Sequence, residues 1–264
     1  MPGHGIEISR TQAGGIEGSR FEGIRVGKSY FKTFGYLPAD APVDEVFDET
    51  MESALRAYQQ FFSLEVTGST DLDTIRSMLT PRCGEPDFKS LRGDETVEPA
   101  YAFLPGNPRW PSSMRNLKYS FDSAVNVVPL DATRLAAPDR LIGFFRHDHG
   151  DGSPFDGPGG ILAHSFPPIV GKLHLDADEQ WSATTPGQDQ VDLETVILHE
   201  IGHILGLNHS TVPTAVMFPT LPLGPLRLRN CIQRTRMVFD KFFCQLNAKT
   251  SILYYFHLLN LEFS

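Results

Sequence analysis

Residues 191–207 constrain this chain more than any other stretch, because Val191, Val196, Leu198, Ile201 and Leu205 give a helix its apolar faces while His199, Glu200 and His203 sit on the expected exposed turn. Residues four apart lie on one helical face, so His199 and His203 can point both imidazoles at one ion. Glu200, one residue round, can reach a water beside that ion without being a ligand, as a general base requires. Gly206 ends the helix and lets the chain reverse, which brings in His209 as a third ligand and leaves a fourth position open. The competing reading, surface histidines on an amphipathic helix, needs five residues at the required spacing by accident. Zinc is the expected ion, and an open position is the mark of a catalytic site.

The 264 residues, 41% of them hydrophobic, suffice for one large domain or two ordinary ones. With 23 Lys and Arg against 32 Asp and Glu, the net charge of −9 gives no reason to expect a nucleic-acid partner. Beyond residue 220 the sign reverses, since Arg227, Arg229, Arg234, Arg236, Lys241 and Lys249 face only Asp240 and Glu262, a net +4 that leaves −13 elsewhere. The N-terminus has no cationic stretch leading into an apolar core, so no secretory signal peptide is expected there. Residues 252–261 are apolar but too short for the ~20 residues a membrane helix needs, so a buried segment is expected rather than a lipid-anchor tail.

Residues 47–79 read as two helices, one carrying Met51, Leu55, Tyr58 and Phe62, the other capped by Asp71 and carrying Leu72, Ile75 and Leu79, with a turn at residues 66–68. Pro81, Gly84 and Pro86 end this module, and the charged residues 89–98 read as an exposed, cleavable linker. Pro105, Pro108 and Pro111 open a second domain, where residues 118–121, 141–145 and 173–175 read as strands and residues 150–160 as a Gly, Asp and Pro loop. The expected domains are a helical module over 1–90, a linker over 91–102, a catalytic domain over 103–220 and an atypical tail over 221–264.

Of three cysteines, too few for a disulfide scaffold, Cys83 lies in Pro81-Arg-Cys-Gly-Glu-Pro-Asp87, a rigid extended presentation suited to reaching a metal. A thiolate is a tight zinc ligand, so Cys83 in the fourth position would silence the site until it is cut away or modified. A buried structural thiol is the plainer alternative. Whether Cys231 and Cys244 pair is left open.

Together these motifs resemble the matrixins, the matrix metalloproteinase family of the metzincin clan, and the compact form is similar to plant members without a hemopexin domain. The resemblance runs over residues 31–219. It includes Tyr36-Leu37, Tyr58-Gln59, the Cys83 latch, Phe103-Leu-Pro-Gly-Asn-Pro-Arg-Trp110, the residues from His149 to His164, His174 to Glu179, and a Met-turn at Met217. It implies an α+β fold: a small helical propeptide, peptidoglycan-binding-like, then a catalytic domain with a mostly parallel twisted sheet and a zinc-binding helix. It implies that His149, Asp151, His164 and His174 hold a structural zinc. It also implies that Asp156, Asp176 and Glu179, with the carbonyls of Gly157, Gly159 and Ile161, hold calcium. Lys172 stands where relatives often carry an acidic residue, so a further calcium site is not expected.

Two departures stand out. Only nineteen residues separate Phe121 from Leu141, against roughly thirty for the helix, strand and connections the family places there, so one helix and strand are expected to be missing. The basic tail lacks the family's last helix, which suggests an altered reading frame, a retained intron or an alternative exon.

The leading reading is a latent zinc endopeptidase with Glu200 as general base, a monomer working on protein or peptide substrates, inhibited by its own propeptide and extracellular or matrix-located by resemblance. A second reading is an inactive or poorly folded variant acting as a binding protein. A third makes the N-terminal module a carbohydrate or cell-wall binder.

Overall fold

The computed structural model describes residues 22–88, 103–113, 119–121 and 140–224. Two compact units emerge. One holds three helices and residues 84–88; the other holds residues 81–83 and everything described from Phe103 onward.

The helical unit begins with α1 (Glu22–Thr33), a helix not expected from the sequence, in which Gly23 and Gly27 disfavour helix. Packing overrides propensity there: a Cβ on Gly27 would come within 2.9 Å of the Met51 side chain, so glycine is what lets the helices approach. α2 (Glu49–Phe61) starts at Asp48, whose side chain accepts from the Met51 amide. α3 (Leu72–Met78) starts at Asp71, which accepts from the Thr74 amide as expected. Phe31, Tyr36, Tyr58 and Phe61 pack edge to face in the centre, with Tyr30, Phe62 and Phe88 around them. Lys28, 1% exposed, is held by Asp44 and Asp48 at 2.9 and 2.7 Å. The Tyr36 hydroxyl donates to Asp87 at 2.7 Å and the Asp87 amide to the Phe34 carbonyl, which ties the stretch after Cys83 to this unit.

The second unit is built on a five-stranded sheet in the order β1 (Arg82–Cys83), β4 (Ile161–Ser165), β5 (Leu173–Asp176), β3 (Arg140–Phe145), β2 (Tyr119–Phe121). Every pairing is parallel except β4 with β5. A mostly parallel sheet with a helical propeptide is the α+β arrangement expected. Strand β4 lies where only a loop and scattered ligands were read. A pair of two-residue strands, β6 (Trp181–Ser182) and β7 (Val191–Asp192), leads into α4 (Leu193–Ile204). Residues 191–192 are therefore strand rather than the start of the helix: Asp192 takes extended backbone and accepts from the Thr195 amide, so α4 begins after it.

Helix α4 packs on β4 and β5, where Val196 and Ile204 join Ile142, Leu162, Ala163, Leu173 and Leu175 in one buried core. Each Val, Leu or Ile of this set contributes about 1.5–3 kcal/mol when fully buried, which favours one rotation of the helix about its axis. Among the described residues no helix is long and apolar enough to cross a membrane. The stretch proposed to lack a helix and strand, and the tail from residue 225 with Cys231, Cys244 and the apolar run at 252–261, lie outside the described residues.

Candidate metal centre

His199, Glu200 and His203 were expected on an exposed turn. Instead they are 0, 0 and 1% exposed, with Cys83 Sγ beside His203 and the Ser165 hydroxyl against Glu200. The helix stops as predicted. Leu205 caps it, Gly206 turns with φ +95°, and the Leu207 and Gly206 amides return to the Gly202 and His203 carbonyls. Gly206 is also the close-approach residue, since a Cβ there would lie 2.6 Å from the Pro108 carbonyl oxygen. The Trp110 indole donates to the Ile204 carbonyl at 2.8 Å, satisfying one of the helix-end acceptors.

Cys83, His199, His203 and His209 converge with their ligand atoms all within 4.8 Å of one another. His203 Nε2 stands 3.1 Å from His199 Nε2, 3.1 Å from His209 Nε2 and 3.5 Å from Cys83 Sγ. Tetrahedral zinc with bonds of about 2.0–2.1 Å to nitrogen and 2.3 Å to sulfur would set its ligands about 3.3 Å (N to N) and 3.5 Å (N to S) apart. The donor set fits zinc in both kind and spacing. His199 Nδ1 donates to the Val216 carbonyl at 2.7 Å and His203 Nδ1 to the Leu207 carbonyl at 2.8 Å. A carbonyl only accepts, so Nδ1 carries the proton and the Nε2 lone pair faces inward. Beneath them Met217 is 6% exposed, and its sulfur fills the space a Cβ on Gly202 would need. Gly202 is thus a residue the motif left as a blank but the packing requires.

The second donor set also assembles. Asp151 Oδ2 lies 2.8, 2.7 and 2.8 Å from His149 Nε2, His164 Nε2 and His174 Nδ1, and His174 Nδ1 lies 3.1 and 3.3 Å from the other two nitrogens. The nitrogen separations suit a tetrahedral ion, while the carboxylate oxygen sits closer, at hydrogen-bond distance from all three imidazoles. Burial pushes His174 down to about 4, and His164 and His149 add to this against the pull of Asp151, so its imidazole is neutral as a ligand must be. Asp151 is held well below the ordinary carboxylate range: burial opposes this, but the Ser153 amide, His164 and His174 outweigh it. His149 stacks between Phe145 and Phe155, 4.9 and 5.1 Å away, an aromatic clamp the sequence reading missed.

Of the expected calcium ligands, the structure gathers three carboxylates around one loop. Asp156 Oδ1 accepts from the Ile161 amide at 2.9 Å and Glu179 Oε1 from the Gly159 amide at 2.6 Å, while the Gly157 amide bonds Asp176. Gly157 and Gly159 take φ of +88° and +77°. Burial and then the like charges of Asp176 and Asp156 push Glu179 up to about 7, and burial raises Asp156 and Asp176 as well. Asp176 Oδ2 is buried with no hydrogen-bond partner among the described residues. Oxygen donors that repel one another in this way fit a hard cation.

A zinc metalloendopeptidase is the class that this fold and donor set define. Comparison with known proteins narrows it: the matrixin profile matches residues 100–229, and the profile described as "Putative peptidoglycan binding domain" matches residues 22–78. Metalloendoproteinase 5-MMP of Arabidopsis thaliana is 39% identical over 242 residues, covering 78% of this chain and 67% of that protein. Metalloendoproteinase 1 of Glycine max is 36% identical over 235 residues, covering 78% and 77%. Interstitial collagenase of Sus scrofa is 36% identical over 221 residues, covering 74% of this chain but 44% of its own length. The chain belongs to the matrixin family.

Proposed function

We propose that this matrixin is a latent endopeptidase in which His199, His203 and His209 hold the catalytic zinc, Cys83 fills its fourth position, and Glu200 is the general base. The observation that carries this reading is the path of β1. Arg82 and Cys83 pair in parallel with Ile161 and Ala163 of β4, while on the other side the Cys83 amide donates to the Pro219 carbonyl at 2.9 Å and the Leu221 amide to the Pro81 carbonyl at 2.8 Å. An extended peptide thus lies in a slot with main-chain partners on both sides, the geometry by which sheet edges recognise peptide backbones irrespective of sequence. The occupant here is the chain's own segment, and its sulfur ends beside three imidazoles.

With the latch removed, the same slot suits a protein or peptide substrate. Zinc, when bound, supplies Lewis acidity that lowers the pKa of a water and polarises a carbonyl. Glu200 takes the proton from the water as its oxygen bonds the scissile carbonyl carbon. It then passes that proton to the amine as the C–N bond breaks. His149, Asp151, His164 and His174 hold a structural zinc, and Asp156, Asp176 and Glu179, with the carbonyls of Gly157, Gly159 and Ile161, hold calcium. Substrates are proteins of the extracellular space or cell-wall matrix, in keeping with the interstitial collagenase among the relatives.

Glu200→Ala tests the assignment. Cleavage of a quenched peptide after mercurial activation should disappear while zinc content stays that of the unaltered chain; retained turnover would remove Glu200 from the mechanism.

A further inference from the structure

A glutamate can be placed correctly by its helix and still swing its carboxylate through three side-chain torsions. Something must hold the Glu200 carboxylate, and among the described residues Ser165 brings a hydroxyl to it. Ser165 ends β4, where adjacent residues point to opposite sides: His164 enters the second donor set, and Ser165 turns to α4. Its backbone is fixed by the antiparallel pairing of Ser165 with Leu173, and the residue is 1% exposed. Its Oγ lies 2.7 Å from Glu200 Oε2 and 3.1 Å from the Glu200 main-chain carbonyl oxygen.

A hydroxyl has one proton to donate, and the carboxylate is the stronger acceptor because it is charged. With Oε2 held in this way, rotation of the carboxylate is restrained and the other oxygen is biased toward one direction. We propose that Ser165 is a positioning residue for peptide hydrolysis: its hydroxyl fixes the Glu200 carboxylate in the orientation that meets the attacking water. This rests on the reading of Glu200 as general base. Serine suits the role because it has a single heavy-atom torsion and loses little freedom when buried, so the orientation it imposes is sharp. Misplacement of a catalytic group by an ångström can cost up to a hundredfold in rate, and loss of one orienting bond should cost less.

The test uses the full zinc-loaded chain. After mercurial activation, Ser165→Ala should lower kcat about tenfold with KM within about twofold and zinc content unchanged, and Ser165→Thr, which keeps the hydroxyl, should recover most of the loss. In the uncut chain, unfolding midpoints of Ser165→Ala, Glu200→Ala and the double variant should be non-additive, the double variant losing less than the two single losses together. Additive midpoints, an unchanged kcat in Ser165→Ala, or a loss confined to KM each overturn the proposal. Turnover surviving in Glu200→Ala would strike the general-base reading instead, so the two failures are distinguishable.

Discussion

The Cys83 sulfur lies 3.5 Å from His203 Nε2, within the same unit that carries the histidines and while its chain pairs with β4. On the proposed reading, latency depends on one atom delivered by a two-residue strand. Cys83→Ser keeps the shape but replaces the soft ligand with a poor one, so the uncut variant should hydrolyse a quenched peptide at least about tenfold faster than the uncut parent chain. Equal, negligible rates before activation in both proteins would show that the thiol is not the inhibitor.

His174 is the central member of the second donor set, in contact with His149, His164 and Asp151. His174→Ala should reduce bound zinc from two equivalents to one, matching the two clusters, and leave the partly buried Asp151 carboxylate without its ion. Metal binding is linked to folding, so the unfolding midpoint should fall with the lost ion. Metal analysis and calorimetry on one sample check both parts.

Calcium should reverse the ranking of two proteins. In chelator, Glu179→Gln should match or exceed the parent in stability, because it removes one of three mutually repelling carboxylates; its pKa of about 7 reflects burial first and that repulsion second. In calcium at ~100 times Kd, the parent gains about 2.7 kcal/mol and should become the more stable. Unfolding midpoints that do not respond to calcium in either protein would rule the site out.

The helical unit carries an acid-sensitive contact. Burial opposes ionisation of Asp48, but hydrogen bonds from Lys28, Thr50 and the Met51 amide win and hold it at about 2, against an ordinary 3.8. A depressed folded value means stability that is complete above the unfolded value and drains away as pH falls from about 4 through about 2. Asp48→Asn keeps the helix cap and loses the charge. With the side chain 34% exposed, solvent screening limits the difference to roughly 1 kcal/mol. The parent should be the more stable of the two at pH 6, and the gap should close near pH 2 in unfolding titrations.

Much of the site could be read in the sequence because ligand spacing on a helix and a glycine reversal are local geometry: His199, His203, Gly206 and His209 follow from a 3.6-residue period and one positive φ. What escaped was tertiary. Helix α1 was hidden by Gly23 and Gly27, of which Gly27 permits close packing against Met51. Strand β4 was hidden because two of its residues, Ile161 and His164, looked like ligands, and its burial on both faces removes the alternation that marks a half-exposed strand. The start of α4 was misplaced by two residues because Val191 fits a helical apolar face as well as a strand, and only Asp192 decides between them. Ser165 carried no signal at all, since nothing in a sequence says which serine meets a glutamate thirty-five positions on.

The most direct measurement is zinc-edge X-ray absorption on the uncut, zinc-loaded chain, compared with Cys83→Ser. One sulfur scatterer at about 2.3 Å, shared across two zinc ions and gone in the variant, is the predicted result. Shells of nitrogen and oxygen alone in both proteins would contradict the account, for then no thiolate would close the three-histidine site.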